Sequence, residues 1–107
     1  YMIPLTPETD LVRAVAMAKG TGATGLKLYA ALDAELVRAA TAEAHRQGLV
    51  VWAHSAIFPA KPVEILEAGV DAVSHAPYMV WEGAPAHDDF TLRGKGDFAG
   101  IPAASPA

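Results

Sequence analysis

Three side chains suited to binding a metal ion lie in or just after short apolar segments of this sequence. Lys27 lies within GLKLYA, His54 follows VVWA, and His75 follows DAVS. Neutral imidazole is the commonest protein ligand for zinc and related ions. A lysine held among apolar neighbours has its ammonium form disfavoured, so its amine can form a Schiff base with a carbonyl compound or a carbamate with carbon dioxide. The carbamate is an anionic oxygen ligand, so the three residues fit either a divalent metal site or Schiff-base chemistry.

Each of these residues also has an ordinary structural interpretation. A histidine at the end of a strand is more often a satisfied polar residue than a ligand, and a strand lysine often extends its tip to water. The joint interpretation gains weight because the three residues occupy similar positions on successive predicted strands. Tyr29 and Ser55, which lie one or two residues beyond the predicted ligands, are candidates for substrate contacts. His45 suits the negative end of a helix dipole, and we interpret it as structural.

Apolar periodicity and end signals predict the elements that position these residues. The run TPE at 6–8 is typical of a helix start, and KG at 19–20 of its end. Asp33 is placed to cap a second helix over residues 34–46, and a short third helix is predicted over 63–68. Strands are predicted over residues 25–30, 49–53 and 70–76.

The alternation of helices with apolar strands predicts an α/β fold with a parallel sheet. Three strands with helices on one side leave two sheet edges unpaired and one face uncovered. Because a (β/α)8 TIM barrel needs about 250 residues, we expect a partial barrel of about three consecutive βα units. Residues 1–107 would be part of a single barrel domain, well patterned over 7–82, whereas 83–107 resemble a loop and receive no element.

Composition narrows the classes of partner. The chain has 107 residues, 52% of them hydrophobic and 19% charged, as expected of a folded domain. Eight basic against twelve acidic residues, a net charge of -4, argue against nucleic-acid binding. We expect no membrane span, because no apolar run approaches about 20 residues. With no cysteine, a metal must be held by His, Asp, Glu or modified Lys. Position 1 is not methionine and no signal-peptide pattern is present, so we expect a missing N-terminus and leave the compartment open.

Three stretches carry a resemblance to a known family. GATGLKLYA, AEAHRQGLVVWAHSA and EILEAGVDAVSHA together resemble the amidohydrolase superfamily of metal-dependent hydrolases, in particular its imidazolonepropionase-like and Xaa-Pro dipeptidase-like branch. The resemblance covers about residues 7–82. It implies a (β/α)8 barrel in which the three predicted strands are the fourth, fifth and sixth.

The resemblance also implies roles for the three residues. Lys27 matches the carboxylated lysine that bridges two metal ions, and His54 and His75 match ligands of the second ion. Zinc is the usual metal, and the complete site is binuclear. The implied reaction is hydrolysis of a peptide or non-peptide amide, or a related bond, by a metal-bound hydroxide. The implied substrate is a small molecule or short peptide, and a homo-oligomer is left open.

Two features of the family are missing from this sequence. It contains no His-x-His pair, and it has no recognisable last-strand aspartate; Asp88 and Asp89 in HDDF follow no predicted strand. We therefore expect the chain by itself to be inactive. The alternatives are a Schiff-base, aldolase-like barrel enzyme that uses Lys27 as its nucleophile and a non-catalytic barrel remnant. Trp81, Glu82 and His87 follow the last predicted strand, where barrels contact substrates, but no pattern selects them.

Overall fold

The structure is a computed structural model that describes residues 3–75, Pro77, Met79 and Glu82. Helices and strands alternate along the chain, as predicted. The helices are α1 (Leu11–Gly20), α2 (Ala34–Arg46) and α3 (Pro62–Glu67), and the strands are β1 (Gly25–Leu28), β2 (Val50–His54) and β3 (Ala72–Ser74). No helix in the described residues is long and apolar enough to cross a membrane.

The three strands form one parallel sheet in the order β1-β2-β3. In the first pair, Lys27 lies beside Trp52, and Leu28 beside Ala53. Successive side chains of a strand point to opposite faces. Leu28 and Ala53 therefore share the face that packs against the helices, here called the helix-covered face, whereas Lys27 and Trp52 share the opposite, open face. The predicted α/β fold with parallel strands is confirmed.

The core lies between the sheet and the helices. α2 lies at its centre, with Val37 and Ala44 fully buried, and α3 contributes Ile65. Burying a valine or isoleucine side chain completely stabilises the fold by about 1.5–3 kcal/mol. Nothing comparable covers the other side of the sheet in the described residues, where Val50 is 58% and Trp52 54% exposed. The apolar run over 49–53 is thus buried only at alternate positions, because helices cover one face of the sheet.

The helix predictions differ in accuracy. The limits of α2 are as predicted, and Asp33 caps it by accepting a hydrogen bond from the Leu36 N–H at 2.8 Å. The predicted start of α1 at TPE is wrong. Residues 6–9 form a turn in which the Thr9 N–H donates to the Thr6 carbonyl at 3.0 Å. Asp10 is the cap instead, accepting from the Arg13 N–H at 3.1 Å. Threonine and aspartate side chains can both accept a hydrogen bond at a helix start, and in the structure only the Asp10 side chain is placed to do so for α1.

Candidate metal centre at the carboxyl ends of the strands

The end of the sheet at which the three strands finish is called the carboxyl edge, and the opposite end the amino edge. At the carboxyl edge the imidazole rings of His54 and His75 lie 4.3 Å apart between centroids, with their planes inclined at 72°. The Tyr29 ring packs edge-on against His54 with centroids 5.6 Å apart. Three predicted site residues therefore lie together. Each of them lies at the end of one of the three strands or just after it.

His75 reaches this cluster by leaving the strand conformation. In a regular strand it would share a face with Val73, which pairs with Ala53 on the helix-covered side. Instead β3 ends at Ser74, and the His75 backbone adopts φ 62°. A non-glycine residue in this left-handed region costs roughly 1–2 kcal/mol. The left-handed conformation of His75, just after the end of β3, therefore brings the His75 ring to His54. The alternation of side chains along a strand would place it on the other face.

Lys27 lies on the same open face as His54, because its register partner Trp52 precedes His54 by two residues. Both Lys27 and His54 line a groove beside β1. Lys27 is exposed, however, so the prediction of a lysine held among apolar neighbours is wrong for the described structure. The cause is the one-sided coverage of the sheet. Its apolar sequence neighbours, Leu26 and Leu28, point to the helices on the other face.

Ser55 occupies a different environment from Tyr29, although both were predicted to contact substrate. Tyr29 is 43% exposed beside His54, whereas Ser55 is 1% exposed. The Ser55 hydroxyl donates to the His75 carbonyl at 2.7 Å, and its N–H donates to the Ser74 carbonyl at 3.0 Å. Ser55 thus ties the end of β2 to the end of β3.

The loops after β1 and β2 form a bonded rim around the carboxyl edge. The Ala31 N–H donates to the Ile57 carbonyl at 2.9 Å, and the Ala60 N–H donates to the Leu32 carbonyl at 3.0 Å. Ala31 and Phe58 adopt left-handed conformations with φ 60° and 52°. Sequence reasoning missed this rim, because neither residue is a type that signals a left-handed backbone.

An apolar groove of about 920 Å³ follows the outer edge of β1. It is bounded by α1, by the segment before it and by the open edge of the strand, and it reaches Lys27, Tyr29 and His54 at one end. The Val50 N–H donates to the Thr24 carbonyl at 3.3 Å, and with the register of β1 and β2 this assigns the ladder bonds of β1 to residues 24, 26 and 28. The N–H and C=O of Lys27 therefore point away from β2, toward the groove. The groove therefore exposes apolar side chains and an edge of β1 that, within the described part of the chain, pairs with no other strand.

His45 lies at the amino edge, away from the histidine pair. Its Nε2 lies 2.7 Å from Asp71 Oδ2, which also accepts from the Val51 N–H at 2.7 Å. The hydrogen bond from His45, together with that from Val51, holds the pKa of Asp71 below its ordinary value of 3.8. This arrangement gives His45 a structural partner that joins the end of α2 to the start of β3.

Glu82 is one of the described residues after β3, and one of its carboxylate oxygens accepts a hydrogen bond from the Val63 N–H of α3 at 3.0 Å. Trp81, His87, Asp88 and Asp89 lie outside the described residues. Within the part of the chain that the structure describes, no group of three or more His, Asp or Glu side chains could hold a metal ion.

Comparison with known proteins assigns no relative to this chain: no family model, curated protein or solved structure matches its sequence or fold significantly.

Proposed function

We propose that this chain forms three consecutive βα units of an amidohydrolase-type barrel, the fourth to the sixth, in a metal-dependent hydrolase of amide or related bonds. The observation that carries the proposal is the pairing of His54 and His75, whose rings lie 4.3 Å apart at the carboxyl ends of neighbouring parallel strands. Active sites of parallel barrels are built at this end of the strands. The histidines belong to the motifs that resemble the family.

The uncovered surfaces of the sheet support the barrel. In a closed barrel the inner face of each strand packs against the other strands, and no strand keeps a free edge. Here the open face exposes Val50 and Trp52, and the groove along β1 exposes apolar side chains beside the outer edge of that strand, which pairs with no other strand in the described residues. A further parallel strand beside β1, with the rest of the barrel across the open face, would bury these surfaces.

The donor set suits zinc. His54 and His75 would each offer one ring nitrogen, and Lys27, on the same face, would add an anionic oxygen as its carbamate. A bound divalent ion supplies Lewis acidity and lowers the pKa of water at its open position. Tyr29 packs against His54 and limits the orientations of that ring, while its exposed part is available to substrate.

Zinc titration of the protein, followed by NMR of the histidine side chains, tests the proposal. We expect the ring signals of His54 and His75 to shift together at stoichiometric zinc, with those of His45 unchanged. The two rings share one site under the proposal, whereas His45 lies at the other edge. Zinc binding that leaves both His54 and His75 unperturbed would overturn the metal assignment.

The role of Lys27 has its own test. With 13C-labelled bicarbonate and zinc, we expect a carbamate carbon signal that is absent from Lys27→Met. Treatment with borohydride and a carbonyl compound distinguishes the Schiff-base alternative, since that chemistry would label Lys27 covalently. Labelling of Lys27 without a carbamate signal would favour the aldolase-like enzyme. A protein that shows neither reaction and binds no zinc would fit the non-catalytic alternative.

A further inference from the structure

We propose that Ser55 is the positioning residue that holds His75 beside His54, rather than a residue that touches substrate. The proposal rests on the metal site described above for its functional meaning, but its geometry stands without a metal. Ser55 directly follows β2, and its side chain contacts the backbone of His75.

Of two hydrogen bonds from Ser55, one completes the last register pair of β2 and β3, His54 with Ser74, and the other extends the pairing one residue further. The Ser55 N–H donates to the Ser74 carbonyl at 3.0 Å, as a ladder bond would. The next carbonyl, that of His75, accepts from the Ser55 hydroxyl at 2.7 Å. A side-chain donor therefore takes over at the point where the backbone of β3 turns away from the strand.

The bond to His75 matters because that residue is in an unfavourable conformation. At φ 62° a histidine is held only if its surroundings compensate for the strain. Ser55 is 1% exposed, so water does not compete for its hydroxyl, and removing it would leave the His75 carbonyl without this donor. Relaxation of His75 to an extended conformation would turn its ring toward the face that Val73 occupies, away from His54.

The chain offers two comparisons for this hydroxyl. Thr41 of α2 is also 1% exposed, but among the described residues its hydroxyl has no hydrogen-bond partner. Ser74 also lies at the end of a strand, but its hydroxyl is 3.5 Å from the Ala53 carbonyl, at the limit of a hydrogen bond. Thr41→Val and Ser74→Ala therefore each remove a hydroxyl group but leave the hydrogen bond from Ser55 to the His75 carbonyl in place.

The experiment measures the ring contact without metal and the zinc affinity with it. In the metal-free protein we expect a nuclear Overhauser contact between the His54 and His75 rings that is lost in Ser55→Ala and kept in Thr41→Val and Ser74→Ala. Ser55→Thr, which retains a hydroxyl, should restore the contact. For zinc, Ser55→Ala should weaken binding about 10- to 100-fold, the usual effect of losing a group that orients a ligand.

The outcomes separate the two proposals. A ring contact that survives in folded Ser55→Ala would overturn the positioning role, whatever the zinc affinity. Loss of the contact in Ser55→Ala, in a protein that binds no zinc even as wild type, would support the positioning role and remove the metal-dependent function. If Ser55→Ala does not fold, Ser55→Cys supplies the same test, because a thiol is similar in volume and only a weak donor.

Discussion

The two edges of the sheet make their turns with different residues. At the amino edge, each turn that leads from a helix into a strand has a glycine with positive φ: Gly22, Gly48 and Gly69. At the carboxyl edge, the residues with positive φ follow β1, β2 and β3 and are Ala31, Phe58 and His75. Glycine adopts this conformation without steric strain, whereas the other residues do not. The described chain therefore keeps its strained turns at one edge.

The same contrast holds for the contacts that fix the turns. Gly48 follows α2 in a local motif, in which its N–H donates to the His45 carbonyl at 3.0 Å and the Leu49 N–H donates to the Ala44 carbonyl at 2.9 Å. The carboxyl edge depends on bonds between loops that are distant in sequence, such as Ala31 to Ile57. Strain that is held by distant contacts is typical of functional sites. The comparison therefore supports placing the site at the carboxyl edge.

The largest expected difference between the edges concerns metal binding. His54→Ala and His75→Ala should each weaken zinc binding by more than about 100-fold, since loss of a ligand exceeds the roughly 10- to 100-fold effect of losing a group that orients one. His45→Ala, at the amino edge, is the matched control and should leave the zinc affinity unchanged in calorimetric titration. Equal losses for all three variants would mean that the edges do not differ in this chemistry.

A second difference concerns the core residue beneath the rim. Ile57 is 0% exposed, and its carbonyl accepts the bond from Ala31. We expect Ile57→Ala to lower the free energy of unfolding by about 2–5 kcal/mol and Ile57→Val by about 0.5–1.5 kcal/mol, in proportion to the volume removed. Urea denaturation followed by circular dichroism measures both. If Ile57→Ala lowered the free energy of unfolding by less than the amount expected for Ile57→Val, the Ile57 side chain would not anchor the rim.

The backbone conformations at Gly48 and Ala31 predict two smaller changes in the free energy of unfolding, which are opposite in sign. Gly48 has φ +84° and open space where a Cβ would lie, so Gly48→Ala should lower the free energy of unfolding by about 1 kcal/mol through backbone strain alone. Ala31→Gly relieves strain at the carboxyl edge and should raise stability by up to about 1 kcal/mol, less the entropy that glycine adds to the unfolded chain. Midpoints of denaturant unfolding report both changes. Stabilisation by both substitutions would contradict the distinction between the edges.

The smallest expected effect is the pH dependence contributed by the amino edge. The folded-state pKa of Asp71 is lowered by the bonds from His45 and Val51, so its contribution to stability is present above the ordinary value of 3.8 and is lost as the pH falls through the lowered value. Asp71→Asn should flatten the decline of stability below about pH 4. Unfolding curves at pH 2–6 test this expectation.

Glu43 calls for a control in that experiment. Its pKa is also lowered, chiefly by the hydrogen bond from Arg46, so it contributes in the same direction and pH range. Glu43→Gln measures that part separately. If Asp71→Asn left the pH dependence unchanged while Glu43→Gln removed it, the bond between His45 and Asp71 would add nothing to stability at low pH.

Much of the fold could be predicted where local signals agree. The limits of α2 follow from its capping Asp33, its apolar periodicity and Gly48 beyond its end, and all three act within the helix or next to it. The predicted end of α1 at residues 19–20 also agrees with the structure, in which Gly20 is the last helical residue and Gly22, in the turn that follows, has positive φ.

The site could be predicted only in part. The sequence placed His54 and His75 near strand ends, and parallel pairing then predicts that they share one edge. It did not predict that Ser55 turns inward to His75 or that Tyr29 packs on His54. A serine and a tyrosine just after a strand have no pattern that distinguishes a buried donor from an exposed ring. Both outcomes depend on which face of the sheet the helices cover.

The sequence by itself determined the order of the elements, the parallel α/β class and the edge at which the histidines lie. These follow from periodicity, capping and the direction of the strands, which are local properties of the chain. The tertiary structure decided that Lys27 is exposed, that Ser55 is buried and that the His75 ring meets His54. Those outcomes depend on contacts between residues that are about 20 or more positions apart in the chain, and no local pattern encodes the balance between such contacts and backbone strain.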